Sequence, residues 1–314
     1  MPDTLTGVRP VFTSALNKDG EMRTDTPFLS ISVICDDRAK EGLTAEHGFS
    51  VWLSLSDCQI LFDTGVGATI NENCRVLGID IASADILVIS HGHYDHAGGL
   101  PFVLEHNTTC QTLTHAGLLQ ERYRCLPNAE PKYIGVQAEA KEALANLPKS
   151  RLKQIEQPFA IDARMGLSGT IPRKTPFEDV GGPFYVDPAK GKPDALPDDM
   201  AMWFVTKGGL FILTGCCHSG LINTVEHIKK NTGVEQVVGI MGGLHLHNAS
   251  AERLAQTTAY LQKLAPKYLL LGHCTGGTVI EHFANTLSAV LVEHLHAGSR
   301  YTITEHGDMV SARP

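Results

Sequence analysis

Hydrophobic and polar positions along the chain fall into two similar batches separated by a different texture. In the first, FLSISVIC (28 to 35) is short, apolar and rich in β-branched residues, the pattern of a buried strand. Phe49, Val51, Leu53 and Leu55 then alternate with Ser50, Trp52 and Ser54, a period of two. Ser56-Asp57 marks a turn and QILF returns as a second strand. A helix is predicted near Ile70 to Leu77, followed by the strand ADILVIS.

In the second batch, AMWFVTKGGLFILTG reads as two strands joined at Lys207-Gly208-Gly209. A helix follows from about Leu221 to Asn231, with Leu221, Val225 and Ile228 on one face and Gly233 as its stop. QVVGIM is a strand; Ser250 caps the next helix and Pro266 ends it. YLLLGH is again strand-then-histidine, a last helix is predicted near Val279 to Leu295, and SRYTIT is a terminal strand.

Between the batches, from about 122 to 199, lie ten of the chain's sixteen prolines, so the segment reads as a loop-rich insertion or lid with one helical piece around Ala138 to Leu147. Strands alternate with helices on both sides of it. The expectation is one α/β (α+β) domain over 1–314, with two β-layers covered by helices on their outer faces.

Composition narrows the function classes. A hydrophobic share of 43% and a charged share of 19% describe an ordinary globular chain. The net charge of −8, with no basic run longer than a pair, disfavours a nucleic-acid partner. No apolar run is long enough to cross a bilayer, and MPDTLTGVRPVF lacks the order of a secretory signal. The eight cysteines form no CxxC pair and read as reduced, so a cytoplasmic location is expected; oligomeric state is not legible.

The chemistry concentrates in SHGHYDHAGGL, residues 90 to 100, directly after an apolar strand. In extended chain His91 and His93 project to the same side, as two ligands of one metal require, and Asp95 and His96 turn toward a neighbouring metal. Gly98-Gly99 permits close backbone packing behind the loop. No GxSxG elbow, Walker loop or dinucleotide-binding GxGxxG competes with this cluster.

HGHYDH, with LFDTG at 61 to 65, resembles the metallo-β-lactamase superfamily. The further order of AEHGFSVWL, LTGCCHSGLINTVEH, MGGLHL and GHCTGG resembles its branch named after dihydropterin ribofuranosylaminobenzene-phosphate synthase, over about 28 to 280. The resemblance implies an αββα sandwich with metals at one edge between the sheets. It implies His91, His93 and His218 on a first metal, and Asp95, His96 and His273 on a second. Asp63 is expected to orient the metal loop through hydrogen bonds. Where many members have a metal-bridging Asp after glycine, this chain has Cys216, either a near-metal thiolate or a small buried thiol.

His245 is the candidate substrate-contacting and catalytic group, against a capping role; His47 lines the pocket or a surface turn, and His115 is a further candidate for substrate. Arg173 and Lys174 are expected to help hold an anion. The cofactor expected is two divalent ions, zinc first, with iron and manganese also accepted by His/Asp ligands. The function expected is hydrolysis of a small anionic ester, a phosphodiester or phosphoester, by metal-activated water with Asp95 and His245 as the catalytic side chains. Two alternatives remain: a pterin-pathway condensing enzyme, which a polar-aromatic pocket big enough for a fused ring would favour, and a metal-binding sensor without turnover.

Overall fold

A computed structural model describes residues 27–311; the N-terminal dodecapeptide considered above lies outside the described residues. In chain order the first strands are Pro27–Cys35 (β1), Ser50–Ser54 (β2) and Gln59–Phe62 (β3), then helix Ile70–Leu77 (α1) and strand Ile86–Val88 (β4). Short helices Tyr94–Ala97 (α2) and Leu100–His106 (α3) precede Gln111–Thr114 (β5). The proline-rich middle holds Tyr123–Arg124 (β6), Lys132–Tyr133 (β7), Ala138–Ala145 (α4), Leu152–Gln154 (β8), Phe159–Ala160 (β9), Met165–Leu167 (β10) and Phe184–Tyr185 (β11). Then come Ala201–Thr206 (β12), Gly209–Thr214 (β13), Leu221–Thr232 (α5), Val237–Gly242 (β14), Ala251–Leu264 (α6) and Tyr268–Leu271 (β15). Gly277–Thr286 (α7), Leu291–His294 (β16), Arg300–Thr304 (β17) and Met309–Ser311 (β18) follow.

The strands form an eight-stranded sheet in the order β18-β17-β1-β2-β3-β4-β5-β8 and a seven-stranded sheet in the order β16-β15-β14-β13-β12-β10-β9. Strand alternation sorts side chains between layers. Ile60, Phe62, Ile86 and Val88 of the first sheet share one buried cluster with Phe204, Phe211, Leu213 and Leu270 of the second. Leu61, Leu87 and Ile89 face the other way, onto Ile70, Leu100, Val103 and Leu144 of α1, α3 and α4. Ile212, Ile240, Leu269 and Leu271 likewise face Val225, Ile228, Leu261 and Phe283 of α5, α6 and α7. The result is a helix–sheet–sheet–helix sandwich.

Two expectations need correction. The middle segment is not merely covering loop: β8 extends the first sheet, β9 and β10 extend the second, and β6, β7 and β11 make a small sheet of their own. Two- and three-residue strands between prolines leave no periodicity to read. The last helix stops at Thr286, and Leu291–His294 instead pairs in parallel with Tyr268–Leu271. A half-polar tetrapeptide such as LVEH fits an edge strand or a helical turn equally, and the open edge of β15 decides it.

β3, β4, β5 and β8 run parallel, as do β13, β14, β15 and β16. Their carboxyl ends therefore gather chain reversals on one side of each sheet. Asp63, His91, Cys216, His245 and His273 all fall just beyond such ends. No helix of the described residues is long and apolar enough to cross a membrane.

Candidate metal centre

The loop after β4 is anchored before it is decorated. Asp63, fully buried after β3, accepts from the Ser90 backbone N–H at 2.7 Å and from the Ser90 hydroxyl at 2.8 Å. The same Asp63 carboxylate lies 2.7 Å from His96 Nδ1, so His96 directs Nε2 inward, to 3.1 Å from Cys216 Sγ. His91 Nδ1 lies 2.9 Å from the Ser90 hydroxyl, and its Nε2 lies 3.0 Å from His93 Nδ1. The loop sits close against its neighbour: a Cβ on Gly98 would come within 2.2 Å of the Val66 carbonyl oxygen.

A second anchor comes from the middle segment. The Gly92 N–H donates to Asp198 Oδ2 at 2.8 Å, and Arg122 holds Asp198 Oδ1 at 2.5 Å and Asp194 at 2.9 Å. Arg122 is fully buried. A Cβ on Gly92 would meet the Leu118 carbonyl oxygen at 1.9 Å.

The downstream histidines converge on this loop. His218 Nδ1 lies 2.8 Å from the Val180 carbonyl, and its ring centroid is 4.9 Å from those of both His91 and His93. His273 Nδ1 lies 2.8 Å from Asp37 Oδ1 and its Nε2 3.5 Å from Asp95 Oδ2. His47 bridges the same two carboxylates, at 3.1 Å from Asp37 and 3.4 Å from Asp95. Asp63, Cys217, His245 and His273 have φ between 46° and 57°, so half of the eight non-glycine residues in the left-handed region, among the described residues, cluster here.

The donor set fits cations. His91, His93 and His218 present ligand atoms within 4.8 Å of one another, and so do His91, His96 and Cys216, and Cys216, His273 and Cys274. His93 Nε2, His218 Nε2 and His245 Nδ1 are buried with no hydrogen-bond partner, and His273 Nε2 has only its 3.5 Å contact with Asp95. Orphaned buried nitrogens are costly unless something electron-poor sits between them. Burial, then neighbouring imidazoles, hold His91 well below its usual value; burial likewise holds His93 and His218 down, so all three are neutral at pH 7. Burial would raise Asp95, but His96 and His273 outweigh it and keep the carboxylate ionised. Neutral imidazole and carboxylate are the forms that bind metal.

A cavity of about 450 Å³ opens onto the cluster, with His47, His93, Asp95, Cys216, His245 and His273 in its lining. His115 is not brought there: its ring nitrogens lie 2.8 Å from the Thr170 hydroxyl and 2.9 Å from the Gly117 N–H. Arg173 donates to the Ala195 carbonyl, and neither it nor Lys174 lines the cavity. Sequence reasoning missed Asp37, Phe184, Cys274 and the Arg122–Asp198 anchor. Asp36-Asp37 at the end of β1 was a visible strand-end carboxylate pair; Cys274 shares the cavity wall with Cys216. Phe184, whose ring lies 5.4 Å from His93 and 5.5 Å from His218, had no signal in its local sequence.

An αββα sandwich with a strand-end histidine–aspartate cluster defines the class. The family model described as the metallo-beta-lactamase superfamily matches residues 43–123. The chain is 35% identical to the uncharacterized protein MJ0448 of Methanocaldococcus jannaschii, over 78% of this chain and 90% of that one. It is 29% identical to the 7,8-dihydropterin-6-methyl-4-(β-D-ribofuranosyl)-aminobenzene-5′-phosphate synthase of the same organism, over 81% and 89%. The solved structure of Tm1679, a metal-dependent hydrolase of the β-lactamase superfamily, superposes with a TM-score of 0.75 at 28% identity, over 88% of this chain and 99% of that one. The chain belongs to the metallo-β-lactamase superfamily.

Proposed function

We propose that the protein is a dinuclear metal-dependent hydrolase of a small anionic ester, a phosphodiester or phosphoester. The carrying observation is that His93, His245 and His273, each with a buried imidazole nitrogen lacking a hydrogen bond, line one cavity together with Asp95. In this reading His91, His93 and His218 hold one cation and Asp95, His96 and His273 the other. Cys216 lies near both groups, 3.1 Å from His96 Nε2 and grouped with His218 and with His273.

A pair of divalent cations, zinc first among those that accept this set, would supply Lewis acidity to an ester oxygen and lower the pKa of water toward neutrality. The chain's own residues do the rest. Asp63 and Asp37 fix the orientations of His96 and His273 through their Nδ1 atoms. Phe184 packs over His93, His218 and His245 and excludes water from that side. His245, which lines the cavity, would pass a proton to the leaving group.

A second reading, a pterin-pathway condensing enzyme, draws on the name of the 29%-identical relative and on a cavity large enough for a fused ring and walled partly by Tyr94 and Phe184. Metal analysis of the purified protein, coupled to a screen of aryl phosphodiesters, phosphomonoesters and thioesters, separates the readings. Hydrolysis that His93→Ala abolishes, together with most bound metal, supports the first. A metal-replete protein inert toward every ester overturns it.

A further inference from the structure

The cavity's lining is charged in a way that the metal cluster does not use. Arg38 follows β1, Arg124 ends β6 and Lys132 begins β7, and all three residues line the cavity. None has a carboxylate partner among the described residues. Lys132 Nζ sits 5.3 Å from the centre of the Tyr94 ring. The Arg38 guanidinium lies against Gly277, the first residue of α7: a Cβ there would be 3.3 Å from Nη2. It therefore faces the positive end of a helix whose first turn carries no acidic residue. The carboxylates in the lining, Asp37 and Asp95, are already engaged by His47 and His273. In a chain of net charge −8, three uncompensated cations around one cavity are a local excess that an anionic ligand relieves. Leu126, Ile134 and Phe184 add an apolar wall beside them.

We propose that Arg38, Arg124 and Lys132 form a recognition rim for a phosphate group distinct from the ester that reaches the histidine cluster, so that the substrate is a phosphorylated small molecule carrying an apolar or aromatic ring. The proposal rests on the hydrolase reading for the reacting ester, but the rim is made of residues outside the ligand set. Arg supplies paired N–H donors and Lys a point charge, the usual complement of phosphate oxygens. Two of the three cations come from the small sheet in the middle segment, which makes that segment the carrier of substrate selectivity.

The test is calorimetric titration of benzylphosphonate, whose C–P bond prevents turnover, against benzyl alcohol. It uses the full-length metal-loaded protein, and the same protein after chelation. The wild type should prefer the phosphonate in both forms. Arg38→Ala and Arg124→Ala should each weaken phosphonate binding by about tenfold and leave benzyl alcohol unchanged, while Arg124→Lys retains most of it. After chelation, the triple variant with Lys132→Ala should lose the preference. Phosphonate affinity within twofold of wild type in the chelated triple variant, equal losses for both probes, or a preference that vanishes on chelation would each overturn the rim. Phosphonate selectivity without hydrolysis of any ester would sink the hydrolase reading and leave the rim standing.

Discussion

Replacing Arg122 with Met tests whether the histidine loop is held from behind. The guanidinium is fully buried and donates to Asp194, Asp198 and the carbonyls of Leu118 and Gly117. Removing it strands two buried carboxylates, a loss on the order of 3–5 kcal/mol. At roughly 2.1 cal/mol/K per residue, a chain of this length should lose about 5–8 °C in Tm. The effect reaches the site, because Asp198 also accepts the Gly92 N–H between His91 and His93. Metal affinity should fall about 10–100-fold.

The pH dependence has a fixed sign. Burial pushes Asp198 up to about 6, against the pull of Arg122 and the Gly92 N–H. A raised carboxylate binds its proton more tightly in the folded chain, so its ionisation costs stability as pH rises from about 3.9, the unfolded value, through the folded one. Without Arg122 the folded value climbs further, and the variant's deficit should widen between about pH 5 and about pH 8. Calorimetric melting at both pH values, with metal titration, reads this. A Tm within about 2 °C of wild type at the higher pH, with unchanged metal affinity, would refute the anchor.

Other substitutions probe neighbouring parts. Asp37→Asn, which weakens the hold on His273 Nδ1, should cut affinity for the second metal about 10–100-fold while leaving the fold intact, as read by metal titration and circular dichroism. Gly92→Ala should abolish metal retention or soluble expression, because its Cβ would fall 1.9 Å from the Leu118 carbonyl oxygen; a metal-replete variant contradicts the packing described. Phe184→Ala should raise KM for an aryl diester by about 2–10-fold with metal content unchanged, as loss of ring packing predicts. Unaltered KM would remove that ring from the substrate wall.

What could be read from sequence follows from the range over which each signal acts. The alternation that sorts Phe62 from Leu61 and Val88 from Leu87 is local, and it fixed the strands and their two faces. His91, His93, Asp95 and His96 lie within six positions, so their convergence was legible in a single loop. Asp63, His218 and His273 became legible through the resemblance, and the structure brings all three beside that loop. The rest depends on contacts across long separations. Arg122 meets Asp198 from 76 positions away, and Asp37 meets His273 from 236, with nothing in either neighbourhood to announce the partner. The proline-rich segment hid its strands for the opposite reason, since each is too short to show a period.

Anomalous diffraction from a crystal of the metal-loaded protein, recorded at the metal's absorption edge, tests the dinuclear centre most directly. Two peaks are predicted, one among His91, His93 and His218 and one among Asp95, His96 and His273. A single peak, or none, from protein grown and crystallised with excess divalent metal would contradict the account.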